Sequence, residues 1–286
     1  MKKKVCIGMC MMVVLVWTML PFYWFLKMAF EIPADVARFP PSFYPRHPTI
    51  ASLATVLGFK FVSKDGTVYL PSGRARQVRV GLLNSLILSC SVTAITMLVV
   101  IPLAYTFGRL EFPHKNKLIF AILFAAALPP ISILIPFYMI FIKLGLAGTM
   151  VGLIIVTLTI TIPLLTWMLI GYFRNLPKVE PLARIDGFSR LKTMIFVIIP
   201  MAKVGISVGA TICFLTAWNE FTFAQILVNG TPAATVPPVI SGFLFMHPEV
   251  TQLAATVLYT LIPPFLVGYW LQKYITQMNI TEPIER

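Results

Sequence analysis

The sequence has little of what solution chemistry uses. Only 12% of its 286 residues are charged, with 10 acids against 23 bases, and it holds three histidines and four cysteines. His47, His114 and His247 fall in stretches that read as loops, and neither a His-Glu-x-x-His nor a Gly-x-Ser-x-Gly arrangement occurs. The usual frameworks for an intramembrane metalloprotease or serine hydrolase are therefore missing. No Gly-x-x-x-x-Gly-Lys-Ser/Thr loop is present, so the chain does not bind and hydrolyse ATP by that route. Cys6, Cys10, Cys90 and Cys213 sit in apolar segments without a Cys-x-x-Cys pair and read as unbridged thiols rather than redox or metal ligands. The formal charge of +13 comes from bases at the ends of apolar runs, not from a basic stripe interleaved with exposed aromatics, so no nucleic-acid partner is expected.

What the sequence does have is apolar length. Hydrophobic residues make up 58% of the chain, beyond the range of a soluble domain, and they come in runs long enough to cross a bilayer. The reading is an all-α polytopic membrane protein with six transmembrane helices. Residues 1–30 form the first, built on Val5 to Phe30. That run is longer than a signal-peptide core and shows no small-residue cleavage site, so it is expected to be retained. Residues 31–79, with prolines at 33, 40, 41, 45 and 48 and turn signals at Asp65-Gly66 and Pro71-Ser72-Gly73, form an insert too small to bury a core of its own. Residues 80–275 form a five-helix core with spans at Gly81–Phe107, Leu118–Phe141, Thr149–Phe173, 201–228 and Gln252–Tyr274. Pro129-Pro130 and Pro136 should kink the span from Leu118, and residues 230–248, rich in proline and threonine, read as a loop. Residues 276–286 form a polar tail.

An even number of spans puts both termini on one side. Counting bases in the short loops places that side in the cytoplasm, with Lys2, Lys3, Lys4, Arg109, Lys115, Lys117, Arg174, Lys178, Arg184 and Arg190 facing it. The long insert is then extracytoplasmic.

Residues 178–203 are too polar for lipid and too patterned for a slack loop. Glu180 and Arg184 stand four apart, as do Asp186 and Arg190, which predicts acid-before-base pairs along helical faces. Leu182, Ile185 and Phe188 supply an apolar strip, Gly187 ends a first helical piece, and a second begins near Ser189 and runs towards Pro200. The product is a bent amphipathic knob, with its short helix within 178–192, offered to another protein. Within the spans Glu220 is the clearest charge. It either lines a substrate path or is a structural carboxylate tied to a neighbouring helix or to Asn219. Asn84 and Ser85 pose the same choice between path and packing, and Trp218 either stacks on a sugar ring or packs. Tyr105, Trp167 and Trp270 read as interface anchors.

Ala183-Arg184-Ile185-Asp186-Gly187, followed at a distance by Ile199-Pro200, resembles the cytoplasmic signature of binding-protein-dependent ABC importer permeases. Together with Asn84-Ser85, Pro130, Ile135-Pro136, Gly145-Leu146, Pro163, Trp167, Pro177 and Trp218-Asn219-Glu220-Phe221, it is similar to the carbohydrate branch, in particular the smaller permease of maltose-type pairs. The resemblance implies the type I importer permease fold, placed in the cell membrane. It implies a heterodimer with a second permease subunit, two cytoplasmic ATPases that carry ATP and magnesium, and an extracytoplasmic solute-binding protein, with no cofactor or metal on this chain. It assigns ATPase coupling to Glu180, Leu182, Ala183, Arg184, Asp186 and Gly187, and alternating access to the whole. The chain departs from the family's Glu-Ala-Ala by carrying Pro181-Leu182-Ala183, which moves the expected helix start towards Pro181. An ion-coupled secondary transporter is the alternative, and would call for more ionisable groups at mid-membrane than Glu220.

Overall fold

The computed structural model describes residues 2–63, 65–245 and 249–275. The apolar runs fold as helices, the one spanning form that satisfies every backbone polar group within its own segment. They are α1 (Lys2–Ala29), α2 (Pro33–Val36), α3 (Ala51–Val56), α4 (Ala75–Arg109), α5 (Lys115–Ala127), α6 (Pro130–Lys143), α7 (Met150–Arg174), α8 (Glu180–Ile185), α9 (Arg190–Thr193), α10 (Ile199–Met201), α11 (Lys203–Trp218), α12 (Thr222–Leu227), α13 (Val236–Phe245) and α14 (Val250–Ile275). Strands β1 (Phe61–Val62) and β2 (Val68–Tyr69) pair antiparallel, Phe61 opposite Tyr69 and Val62 opposite Val68. The tail 276–286 and His247 lie outside the described residues.

Two compact units divide the chain: Met1–Leu82 with Pro238–Ile262, and Leu83–Pro237 with Pro263–Arg286. In the first, Val56 of the insert packs in one cluster with Ala29, Val78, Val239, Phe243 and Leu253, and Tyr259 donates a hydrogen bond to the Leu53 carbonyl at 3.0 Å. The insert thus closes on helices rather than on a core of its own. Buried Lys27 and Glu31 form an ion pair at 2.8 Å, and Ser42 donates to Glu31 at 3.3 Å. Asp35, also buried, lies 2.8 Å from His47 Nδ1 and 3.5 Å from Arg38. The His47 hydrogen bond, with the charges of His47, Arg38 and Arg46, outweighs burial and holds the Asp35 carboxyl below its ordinary value. The apolar side chains of α1, among them Met12 and Trp17, stand clear of the chain's own packing, as lipid-facing residues do.

In the second unit α4, α7, α11 and α12 share one core through Leu88, Val92, Val100, Leu165, Leu169, Phe173, Cys213 and Phe223. Thr96 and Thr161, both buried, hydrogen-bond across α4 and α7 at 2.9 Å. Gly205 lets α11 lie against the Tyr172 ring, where a β-carbon would collide.

Four expectations change. The helix expected from Gly81 begins at Ala75, because hydropathy marks where the apolar part of a helix starts, not its first turn; Ser72 Oγ accepts from the Arg74 N–H at 3.2 Å and opens it. The single span over Leu118–Phe141 is two helices bent by 89°, so among the described residues five helices are long and apolar enough to cross a membrane, or six with the bent pair as one. Leu128 and Pro129 each precede a proline and both are extended, with ψ of 124° and 129°. The loop expected at 230–248 contains α13, whose Pro237 and Pro238 sit in the first turn, where no N–H is needed. The span expected at 201–228 is interrupted as well: α11 ends at Trp218 and α12 starts at Thr222.

Candidate functional site: a short helix clamped to two long ones

α8 begins at Glu180 with Pro181 in its first turn, the place where proline costs no hydrogen bond. It ends in a closed pair of turns: the Phe188 N–H bonds to the Ala183 carbonyl at 2.9 Å and the Gly187 N–H to that of Arg184 at 3.0 Å. That motif needs a left-handed residue, and Gly187 has φ +79°. Ser189 then caps α9, accepting from the Lys192 N–H at 3.3 Å. Met194–Ile198 is wound as a π-helix, with Pro200 two residues beyond it. Pro200 has no N–H for the carbonyl four residues back, which favours the wider turn there.

One side chain holds this knob to the bundle. Arg109, the last residue of α4, is 3% exposed and makes five hydrogen bonds. Nε and Nη2 grip the Glu180 carboxylate at 2.6 and 2.8 Å, while Nη1 and Nη2 donate to the carbonyls of Phe173, Leu176 and Pro177 at 3.2, 2.6 and 2.6 Å. The fork therefore ties the ends of α4 and α7 to the first turn of α8, a geometry that lysine could not reproduce. Burial pushes the Glu180 carboxyl up, but the Arg109 hydrogen bond, a backbone hydrogen bond and the charges of Arg109 and Lys178 outweigh it and leave the group below its ordinary value. Beside the clamp lies a cavity of about 970 Å³ whose wall carries Arg109, Lys115, Arg174, Lys178, Arg184 and Arg190, with Glu111 and Glu180 as its acids. Lys115 bonds Glu111 at 2.9 Å, and that hydrogen bond and charge hold the Glu111 carboxyl below its ordinary value.

Residues 100–278 match the family model for the binding-protein-dependent transport system inner membrane component. The chain belongs to this family. The permease is 30% identical over 260 residues to the trehalose/maltose transport system permease protein MalG of Thermococcus litoralis, covering 89% of this chain and 87% of that one. It is 34% identical over 163 residues to the trehalose transport system permease protein SugB of Mycobacterium tuberculosis, covering 57% and 60% of the two chains. Its fold matches a chain in the crystal structure of a bacterial ABC transporter involved in the import of the acidic polysaccharide alginate, with a TM-score of 0.78, 18% identity and 95% of each chain covered.

The permease places its candidate residues in distinct settings. Around α8, Ala183 is buried, while Leu182 and Ile185 are 63% and 84% exposed. The two expected i,i+4 pairs do not form. Glu180 is taken by Arg109, and the Gly187 turn separates Asp186 from Arg190; neither Arg184 nor Asp186 has an ion pair among the described residues. Asn84 Nδ2 donates to the carbonyls of Pro232 and Ala234 at 2.9 and 2.8 Å, and Ser85 Oγ accepts from the Val236 N–H at 2.9 Å, so both tie α4 to the segment leading into α13. Glu220 Oε1 accepts from the Phe223 N–H at 2.6 Å, capping α12, and Asn219 donates instead to Leu215 at 2.9 Å. Trp218 is buried and stacks on Phe214 at 5.9 Å. Tyr105, expected as an interface anchor, is buried and lines the basic cavity, whereas Trp167 and Trp270 are exposed. Arg109 was legible only as one base among several at a span end, since nothing in local spacing links it to a carboxylate 71 positions on.

Proposed function

We propose that this permease forms half of the translocation path of an ATP-driven carbohydrate importer, and that α8 with the Gly187 turn is its coupling element. Glu180 anchors the element and Ala183 packs it. Leu182, Arg184 and Asp186 present its outer face to a cleft on a separate ATPase, which carries ATP and magnesium. The family relationship supports an ATPase and a solute-binding protein as partners. The names of the trehalose and maltose relatives support a sugar as the solute, and the resemblance to maltose-type pairs supports a second permease subunit as the other half of the path. The base-rich loops support placing α8 and both termini in the cytoplasm and the 31–79 insert outside.

The observation that carries the coupling role is the Arg109 clamp. A force applied to α8 reaches the ends of α4 and α7 together through one buried guanidinium, so closure of the ATPase dimer moves two long helices as a unit and shifts the population of inward- and outward-open arrangements. The test is Gly187→Val. A β-carbon there meets nothing within 4 Å, so crowding is no obstacle, but φ of +79° is strained for a β-branched residue by ~1–2 kcal/mol, enough to open this small turn. The assembled complex should keep its ATPase subunits while solute-stimulated hydrolysis and uptake fall together. Unchanged coupling in a normally assembled variant would overturn the assignment.

A further inference from the structure

The cavity beside the clamp has a charge imbalance that the clamp does not account for. Of its six bases, Arg109 is spent on Glu180 and Lys115 on Glu111, and those two are its acids. Arg174, Lys178 and Arg190 remain around one concavity with no ion pair among the described residues, beside Arg184, which the coupling role gives to the ATPase. Like charges gathered on one wall repel, and an anion with several acceptor oxygens relieves that repulsion more fully than water does.

The surroundings indicate which anion. Cavity-lining residues sit in the last turns of α4 and α7 and the first turn of α5, where the apolar parts of these helices give way to bases, which is the depth of lipid headgroups. From the cavity residues Lys115 and Asn116, α5 continues directly into the exposed apolar side chains Leu118, Phe120 and Phe124. A ligand that fits both is anionic at one end and apolar at the other. We propose that this cavity is a phosphate-binding site, occupied by the headgroup phosphodiester of an anionic phospholipid whose acyl chains lie along α5. The proposal rests on the cytoplasmic placement of α8 given above, and it adds a ligand to a region that coupling alone leaves overcharged.

The experiment uses the assembled transporter in nanodiscs of phosphatidylcholine, with or without phosphatidylglycerol, and counts retained lipid by native mass spectrometry. The wild type should retain phosphatidylglycerol selectively. The double variant Arg174→Gln, Lys178→Gln should lose affinity by about fivefold for each base removed, and Arg174→Lys with Lys178→Arg should restore it. A parallel arm adds inorganic phosphate to phosphatidylcholine discs and follows thermal stability. Stabilisation by phosphate that the glutamine variant abolishes supports the same chemistry from a soluble source. Equal retention of phosphatidylglycerol by the wild type and the glutamine variant, with no phosphate effect, overturns the proposal. So does a glutamine variant that sheds its ATPase subunits while retaining lipid, since the cavity is then a protein-docking face. Gly187→Val should retain lipid as the wild type does, so the coupling assignment and the lipid site fail separately.

Discussion

Each unit of the permease holds a glutamate against a base, and the two pairs do different work. Lys27 and Glu31 lie four apart on consecutive turns and meet at 2.8 Å, and with the Ser42 hydroxyl on Glu31 this pair steadies the end of α1 and the start of the insert without joining one long helix to another. Arg109 and Glu180 are 71 positions apart, and the guanidinium also takes three carbonyls at the end of α7. A lysine supplies a point charge, whereas the arginine fork joins three segments at once. One contact is local stability, and the other is a junction through which displacement can pass.

The largest effect should follow from cutting the junction. Arg109→Met leaves Glu180 without its base and the α7 carbonyls uncapped, which should cost ~3–5 kcal/mol and abolish solute-stimulated hydrolysis; thermal unfolding and coupled ATPase assays on the purified complex measure both. Arg109→Lys should recover part of the stability and little of the coupling. Lys27→Met should cost a similar amount of stability, because it strands a buried carboxylate, but whatever folds should still couple. Lys27→Met with Glu31→Leu should regain most of the loss. If Lys27→Met uncouples as Arg109→Met does, the distinction between the two pairs collapses.

A smaller effect is expected at Glu220. Glu220→Gln keeps an acceptor for the Phe223 N–H, so it should cost about 1 kcal/mol or less and leave uptake intact. Abolished uptake in a normally assembled variant would return Glu220 to the solute path. The smallest effect is in the pH dependence of stability. Asp35 and Glu180 both have folded-state values below the ordinary ones, so their contributions are complete above the ordinary carboxylate range and are lost as pH falls through the lowered folded values. The stability difference between the wild type and Glu180→Gln, whose partner Arg109 stays charged throughout, should therefore stay constant from neutral pH down to that range and shrink below it. A difference that instead grew on acidification would have the wrong sign.

Much of this architecture is written in local pattern. Long apolar runs, the glycine that ends α8 and the serine that opens α9 are each decided by a few neighbouring residues. Three of the four Pro-Pro pairs, those beyond the 31–79 insert, mark where that stops. Pro129-Pro130 breaks a span, Pro237-Pro238 starts a helix, and Pro263-Pro264 sits inside an unbroken α14. The dipeptide is the same each time, so nothing within the pair itself decides between these outcomes. Glu180 is the same lesson in charge: Arg184 lies one turn away and was the natural partner by spacing, yet a residue from another helix takes the carboxylate because it arrives buried and with two prongs.

The wide turn at Met194–Ile198 has a practical consequence. Such winding uses up about one extra residue compared with ordinary helix, so side chains beyond it are re-phased by roughly a quarter of a revolution. A chimaera that joins residues 178–193 of this permease to another permease's fifth span, aligned by eye on a uniform repeat, will present α11 turned by about that quarter revolution unless the wide segment and Pro200 travel together.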